Sequence, residues 1–546
     1  MRRRFIGRVG PVLALSAALV AGTVLRAYQL TAQVLVDDEW HLVHKLRDGP
    51  SLASLISDFG SNDHSIGLGL CSWLLMRLGP VNELSLRMPS LIAGLVLLIA
   101  MPFVAARDLD LGTGVMLAWL LAISPLLCFF SRLARPYAVA TLLVSIAVLS
   151  FYRWFVSGGK DRQARRSYLL AAASTPIFHL PSAPAVLAPF LIAAFPPSIL
   201  RSSARPSTNA TARLFVTTIA AMAVLLFIPA FESGGRVAAR LAIDRPDVTT
   251  AIGALQLLSG TADPAVVLLF TILGAMGVYG LWRRSRTLTI ALAIVIVVQI
   301  VAIAASGAAA IHVPVVAARY IAVVLPLLLV FPASGLAVIG RIAPGRTALL
   351  AQVLVGMTTT ALLFFRGPLH WIYEWPNDFT NHASYQADYA VGRYAERFRP
   401  YGTSRFYTDV LANRPRGSTT IVEAPWYYYW HDFAYYQRLH RQHVVIGFLG
   451  EDGEPCRIGE VSAADPGMRL RRAVHLAKPD TLRGRGIEFI VLHRDVFTEL
   501  RWPTGVSDTP VAMNVWIDRY QQWCGPPIFD DRWIVVFATN TCKPSP

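Results

Sequence analysis

Between residues 11 and 365 the chain is a succession of apolar runs of near-membrane length, separated by short stretches carrying Arg, Pro or Gly. About 20 apolar residues are what a helix needs to cross a bilayer core, and in lipid only helices and closed barrels satisfy their own backbones. The runs fall at about 11–30, 88–106, 112–130, 136–155, 168–183, 184–199, 214–230, 264–282, 287–305, 319–340 and 347–365. They predict a polytopic α-helical membrane protein with about 11 spans over residues 1–365, followed by an ordinary mixed domain at 366–546. Only 15% of the residues are charged, where a soluble chain carries about a quarter. A soluble enzyme, a disordered chain and a disulfide scaffold are excluded.

A net charge of +16 would suit nucleic acid. The pattern does not. The only lysines are Lys45, Lys160, Lys478 and Lys543, and the arginines are dispersed, many in short loops between apolar runs. Membrane orientation explains them, so no nucleic-acid partner is expected. Arg2-Arg3-Arg4 before the 11–30 run resembles a signal peptide, but further apolar runs follow, so it reads as an uncleaved first span with a cytoplasmic N-terminus. Loops 107–111, 156–167, 200–213, 283–286 and 341–346, which hold Arg107, Arg162, Arg205, Arg284 and Arg346 among others, then face the cytoplasm. An odd span count puts 366–546 outside the plasma (inner) membrane. The run IGLGLCSWLLMRLG at 66–79 is too short to span and reads as an interfacial helix within a large first external loop, 31–87.

The expected external segments collect the polar residues that need a reason. Asp37-Asp38-Glu39-Trp40-His41 follows the first span. Adjacent carboxylates repel, and such a cluster suits a general base, a divalent metal or both, or else a solvated loop. Asn62-Asp63-His64-Ser65 precedes the short helix, and Arg87 precedes the second span. Arg132, Arg135 and Tyr137 lie in the next external turn, His179 near the outer end of the fifth expected span, and Arg319-Tyr320 at the opening of the tenth. A single arginine at a membrane boundary is usually a snorkelling anchor. Arg87, Arg132, Arg135 and Arg319 on the same face as the carboxylates read as a site for an anionic lipid headgroup beside a base.

D-E-W-H at 38–41, N-D-H-S at 62–65, L-R-M-P-S at 86–90, S-R-L-A-R-P-Y at 131–137 and A-R-Y at 318–320 carry a resemblance. In that order they resemble a GT-C membrane glycosyltransferase of the family 39 type, close to bacterial relatives of protein O-mannosyltransferases and the lipid A aminoarabinose transferase. The resemblance covers most of residues 1–365. It implies a polyprenyl-phosphate sugar donor, transfer on the outer membrane face with inversion, and a cell-envelope glycan, lipid or protein as acceptor. It implies Asp38 as the base with Glu39 supporting it, and Arg135 and Arg319 near the donor phosphate. Asp37 adds a carboxylate beyond the pair, and Ser65-Ile66-Gly67 stands where relatives often carry Pro-Pro-Leu after His64. His41, Asp63, His64, Tyr137, His179 and Tyr320 are the expected substrate contacts, and no metal ligand set is assigned. A transporter of lipid-linked glycan would need a continuous polar path, yet the spans hold few charges; a non-catalytic envelope assembly protein would bind through 366–546.

In that last region, strand-like runs at 419–424, 443–448, 487–492 and 533–538 and a helical stretch at 384–398 predict a small α/β domain. The aromatic cluster at 426–437 reads as core packing or as an acceptor surface. Cys524 and Cys542 flank the final run and read equally as a disulfide or as two free thiols.

Overall fold

The structure, a computed structural model, describes most of residues 2–342, apart from much of 29–64, residues 80–82 and 201–203 and single positions. It then describes 404–424, 436–448, 461–462, 469–494 and 513–543, again with single exceptions. It divides into two compact units. One comprises Met1–Leu30, Ser51–Leu74 and Leu84–Tyr394; the other comprises Thr31–Pro50, Leu75–Glu83 and Ala395–Pro546.

The first unit is helical: α1 (Arg2–Ala27), α2 (Ile66–Leu78), α3 (Glu83–Asp108), α4 (Leu111–Ile123), α5 (Pro125–Ser131), α6 (Tyr137–Val156), α7 (Arg162–Phe178), α8 (Thr208–Ala238), α9 (Val248–Ser259), α10 (Pro264–Arg284), α11 (Arg286–Ser306), α12 (Pro314–Ile321) and α13 (Leu325–Ile342). The punctuation in the sequence sets the boundaries. Asp110, Asp161, Ser207, Asp263 and Ser285 each accept a backbone N–H at the start of a helix, which satisfies donors that the first turn leaves open. α10 and α13 touch backbone to backbone: a Cβ on Gly277 would lie 1.7 Å from Phe331 O, and one on Gly335 2.1 Å from Leu273 O. Small residues permit such contact between membrane helices.

Six helices among the described residues are long and apolar enough to cross a membrane: Leu84–Asp108, Tyr137–Val156, Thr208–Gly235, Pro264–Arg284, Arg286–Ser306 and Pro314–Ile339. α4 and α5 make a seventh if counted together, bent by 62°, where Pro125 denies the preceding helix a backbone donor. The described helices depart from the expected spans at two places, and a third expected span falls outside them. The 11–30 run gives only the shorter apolar helix Pro11–Ala27. The 168–199 stretch, read as two spans, forms α7 and then short helical turns at Leu180–Ser182, Ala183–Leu187 and Ala188–Ala194, because Pro181, Pro184 and Pro189 interrupt it. The 347–365 run lies almost wholly outside the described residues. α2 is a 13-residue helix with Ile66, Gly67, Leu68, Gly69 and Ser72 buried.

The second unit holds a seven-stranded sheet: β1 (Thr420–Ala424), β2 (His443–Phe448), β3 (Val461–Ser462), β4 (Arg469–His475), β5 (Phe489–His493), β6 (Phe529–Asp530) and β7 (Ile534–Ala538), in the order β3-β4-β2-β1-β5-β7-β6. The central strands β4, β2, β1 and β5 are parallel; β3, β7 and β6 join antiparallel. Parallel strands are covered on both faces, and β1, β5 and β7 are buried along their lengths. On one face Val422, Ala424, Ile490 and Leu492 pack with Leu482, Trp516 and Tyr520 from α14 (Pro479–Gly484) and α15 (Met513–Cys524). On the other Phe406 meets Phe489, ring centroids 5.6 Å apart. Cys524 and Cys542 form a disulfide. The four expected strands are β1, β2, β5 and β7; the 384–398 helix and most of the 426–437 cluster lie outside the described residues.

Candidate active site

At one end of the helical unit four arginines are buried almost completely: Arg26 and Arg87 at 1%, Arg132 at 2% and Arg135 at 5% exposure. Their placement follows from helix ends, which leave carbonyls without intrahelical donors. Arg26, in the last turn of α1, donates to Leu121 O at 2.8 Å and Ala122 O at 3.3 Å at the end of α4. Arg132, just past α5, donates to Arg26 O at 3.0 Å and Leu25 O at 3.4 Å at the end of α1. Arg87 on α3 donates to Leu30 O at 2.9 Å. Ser90, one turn further along α3, donates to Arg135 O at 2.7 Å and so anchors the 132–136 turn. The guanidiniums keep their charge while carbonyl dipoles replace water.

From Arg135 an unbroken series of contacts crosses to α12. The Arg135 guanidinium lies 5.8 Å from the Tyr137 ring centroid, within cation–π range. Tyr137 meets His179 edge-on at 5.2 Å, His179 stacks on Tyr320 at 5.7 Å, and Arg319 lies 5.2 Å from the Tyr320 ring. His179 follows the end of α7, with Nδ1 2.6 Å from Ser182 Oγ. The array thus draws on the 132–136 turn, α6, the end of α7 and α12, and carries a cation at each end of an aromatic face. Such an array can hold an anionic group between fixed donors while offering rings to a flat, hydroxylated neighbour.

Arg135, Tyr137, His179, Arg319 and Tyr320, distant in sequence, are therefore brought together, and Arg87 and Arg132 lie buried at the end of α1. Glu39 is fully buried. Asp37, Asp38, His41, Asp63 and His64 lie outside the described residues. Among the described residues no three His, Cys, Asp or Glu side chains converge as metal ligands.

Two residues of this region escape the sequence reading. Arg26 is one; its signal is a lone charge near the end of an apolar run. The other is Gln299, fully buried in α11, whose Nε2 donates to Pro181 O and to Tyr320 O, both at 3.0 Å. It ties the turn after His179 to Tyr320. A single amide in the apolar run 287–305 was its only signal; intramembrane polar residues are costly and mark function or specific pairing.

At the opposite end of the unit, Arg284 pairs with Asp110 at 2.6 Å and Arg153 with Asp108 at 3.2 Å. These residues belong to the loops and helix ends that the orientation argument assigns to one side.

No protein-family model matches the chain, and no curated protein is similar to it by sequence. Among solved structures it is similar to ArnT from Cupriavidus metallidurans. Against apo ArnT the TM-score is 0.51 at 13% identity, over 98% of this chain and 99% of that one. Against ArnT bound to undecaprenyl phosphate it is 0.50 at 14% identity, over the same shares. The likeness runs through both the helical unit and the sheet domain, and the fold, a bundle of long apolar helices followed by a C-terminal α/β domain, is shared with that structure.

Proposed function

We propose that the protein is an integral membrane glycosyltransferase that moves a sugar from a polyprenyl-phosphate donor to a cell-envelope acceptor, a glycan, lipid or protein, on the outer face of the plasma membrane. The observation that carries this reading is the Arg135–Tyr137–His179–Tyr320–Arg319 array within a fold shared end to end with a protein crystallised on undecaprenyl phosphate. The donor phosphate lies among Arg135, Arg319, Arg132 and Arg87; the rings and His41, Asp63 and His64 attend the sugar and acceptor. The disulfide between Cys524 and Cys542 supports an oxidising, extracytoplasmic location for the sheet domain, and the Arg284–Asp110 end supports a cytoplasmic opposite face.

The reaction divides between the two sets of groups. Asp38, flanked by Asp37 and Glu39, takes the proton from an acceptor hydroxyl as its oxygen attacks the anomeric carbon. The bond from that carbon to the phosphate oxygen breaks with inversion, and polyprenyl phosphate leaves with the electron pair. Guanidiniums beside the leaving phosphate stabilise its growing charge.

The test is turnover of a panel of polyprenyl-phosphate sugars by purified protein in nanodiscs, with envelope extract as acceptor. Wild type should release polyprenyl phosphate from at least one donor. Asp38→Asn should lower that rate about 10²–10⁴-fold and Arg319→Gln about 10²–10³-fold. Equal release by Asp38→Asn moves the base to Asp37 or Glu39; no release from any donor by folded wild type sinks the proposal.

A further inference from the structure

The sheet domain carries a polar cluster for which the transfer reaction has no use. From β1 the chain lays β2 and then β4 to one side, and later returns to lay β5 on the other. The winding therefore reverses between β1 and β5. In open α/β sheets ligands bind beyond the carboxyl ends of the strands at such a reversal. Glu423, next to last in β1, and His493, last in β5, meet there, with His493 Nε2 3.0 Å from Glu423 Oε2. The Tyr407 hydroxyl lies 3.4 Å from the same nitrogen. Tyr436 stacks on Tyr407 at 4.6 Å with the rings 12° apart, and His440 stacks on Tyr407 at 5.5 Å.

Glu423 is wholly buried, yet among the described residues its Oε1 has no hydrogen-bond partner. Leaving a buried acceptor unmet costs about 1–3 kcal/mol, more for a charged group. A β-branched aliphatic residue would fill the strand without that cost. Tyr407 and His493 serve the other side of the carboxyl group, and Oε1 calls for a donor that the described residues do not supply. Burial disfavours further charge beside Glu423, whose other oxygen already faces His493, so a neutral hydroxyl suits the open oxygen better than a cation. The stacked rings beside it offer the apolar face that the C–H side of a sugar ring packs against.

We propose that the carboxyl ends of β1 and β5 form a carbohydrate-binding site. In it a sugar hydroxyl donates to Glu423 Oε1, a neighbouring hydroxyl bonds the Tyr407 hydroxyl, and the ring packs on Tyr436. Among the described residues the cluster is closed in the free protein, Tyr436 at 5% and His493 at 6% exposure, so Tyr436 swings off Tyr407 to admit a sugar and then packs against its ring. The inference does not rest on the proposed transfer, because binding is read with no donor present.

The experiment is saturation-transfer NMR on the full chain in nanodiscs, using methyl glycosides of mannose, glucose, galactose and arabinose, with ethanolamine as a cationic probe. At least one glycoside should bind, and Glu423→Gln and Tyr436→Leu should each weaken it tenfold or more while near-ultraviolet circular dichroism reports an intact fold. Two substitutions are used because either one alone could unfold the domain. No binding of any glycoside to wild type overturns the proposal whatever the variants do. So does binding that both folded variants leave unchanged, which would place the sugar elsewhere. Binding of ethanolamine alone also overturns it.

Discussion

The two units bury charge in opposite ways. In the helical unit Arg26, Arg87 and Arg132 each donate to backbone carbonyls at the ends of α1 and α4 and at Leu30. A guanidinium does not titrate in a protein, so these charges are fixed and their placement depends on where helices end. In the sheet domain the buried Glu423 carboxyl is paired with His493. Burial pushes the Glu423 carboxyl up, and the hydrogen bond from His493 only partly offsets that. The buried arginine end is thus sensitive to position, whereas the Glu423 carboxyl is sensitive to pH. A phosphate that must be held the same way at every turnover is better served by the first arrangement.

The hardest way to break that comparison is to move a helix. Gly277→Leu puts a side chain where α13 leaves no room even for a Cβ, 1.7 Å from Phe331 O. Overpacking usually costs about 1–3 kcal/mol, and contact with a backbone that cannot yield exceeds this. The expected result is loss of the monodisperse peak on size exclusion in detergent. A variant that remains folded, with donor turnover intact, would mean that the α10–α13 contact is not what fixes the arginine end.

A smaller effect sharpens the pH half of the comparison. His440 is 1% exposed and its Nδ1 accepts the Gln442 N–H at 3.0 Å, so the neutral ring carries its proton on Nε2. Burial pulls its pKa from 6.5 down to about 3. Below pH 6.5 the unfolded chain takes up a proton that the folded one refuses, so the stability contributed here is complete above pH 6.5 and is lost as pH falls toward 3. Glu423 acts with the opposite sign, its raised pKa favouring the fold as pH falls. Comparison with His440→Asn isolates the histidine. Between pH 7 and 4 the wild-type sheet domain should lose about 3 kcal/mol more than the variant, read by hydrogen exchange along β1 and β5. Parallel curves would remove His440 from the account.

Much of this was legible in the sequence, for physical reasons that differ by residue. Apolar length marks a helix that crosses lipid, so α6, α10 and α11 appear in the sequence almost to the residue, and α3 and α8 as shorter runs within longer helices. β1, β2, β5 and β7 are short apolar runs and appear as well, whereas β3, β4 and β6 are short or polar and do not. The 168–199 stretch misleads because hydropathy counts side chains and ignores the backbone donors that its prolines remove. The array residues stand out as Arg, His and Tyr at run ends, but their convergence is tertiary and no spacing encodes it. Arg26 and Gln299 are hidden inside apolar runs, and Glu423 and His493 sit in strands that otherwise read as core.

Gln299 offers the finest test of the fixed half of the comparison. Its amide holds two carbonyls, Pro181 O and Tyr320 O, which flank the His179–Tyr320 stack. Gln299→Leu keeps nearly the same volume but leaves both carbonyls with one donor fewer, a cost of about 1–2 kcal/mol. Because 1.4 kcal/mol is a factor of ten, the KM for donor should rise up to about tenfold if that cost falls on the bound geometry, with kcat less affected. Gln299→Asn keeps the amide donor on a shorter side chain and should recover part of the loss. A fall in thermal stability with unchanged KM would make Gln299 a brace for α11 and α12 alone. A rise in KM with partial rescue would show that the stack is held by positions outside it, as the arginines are held by helix ends.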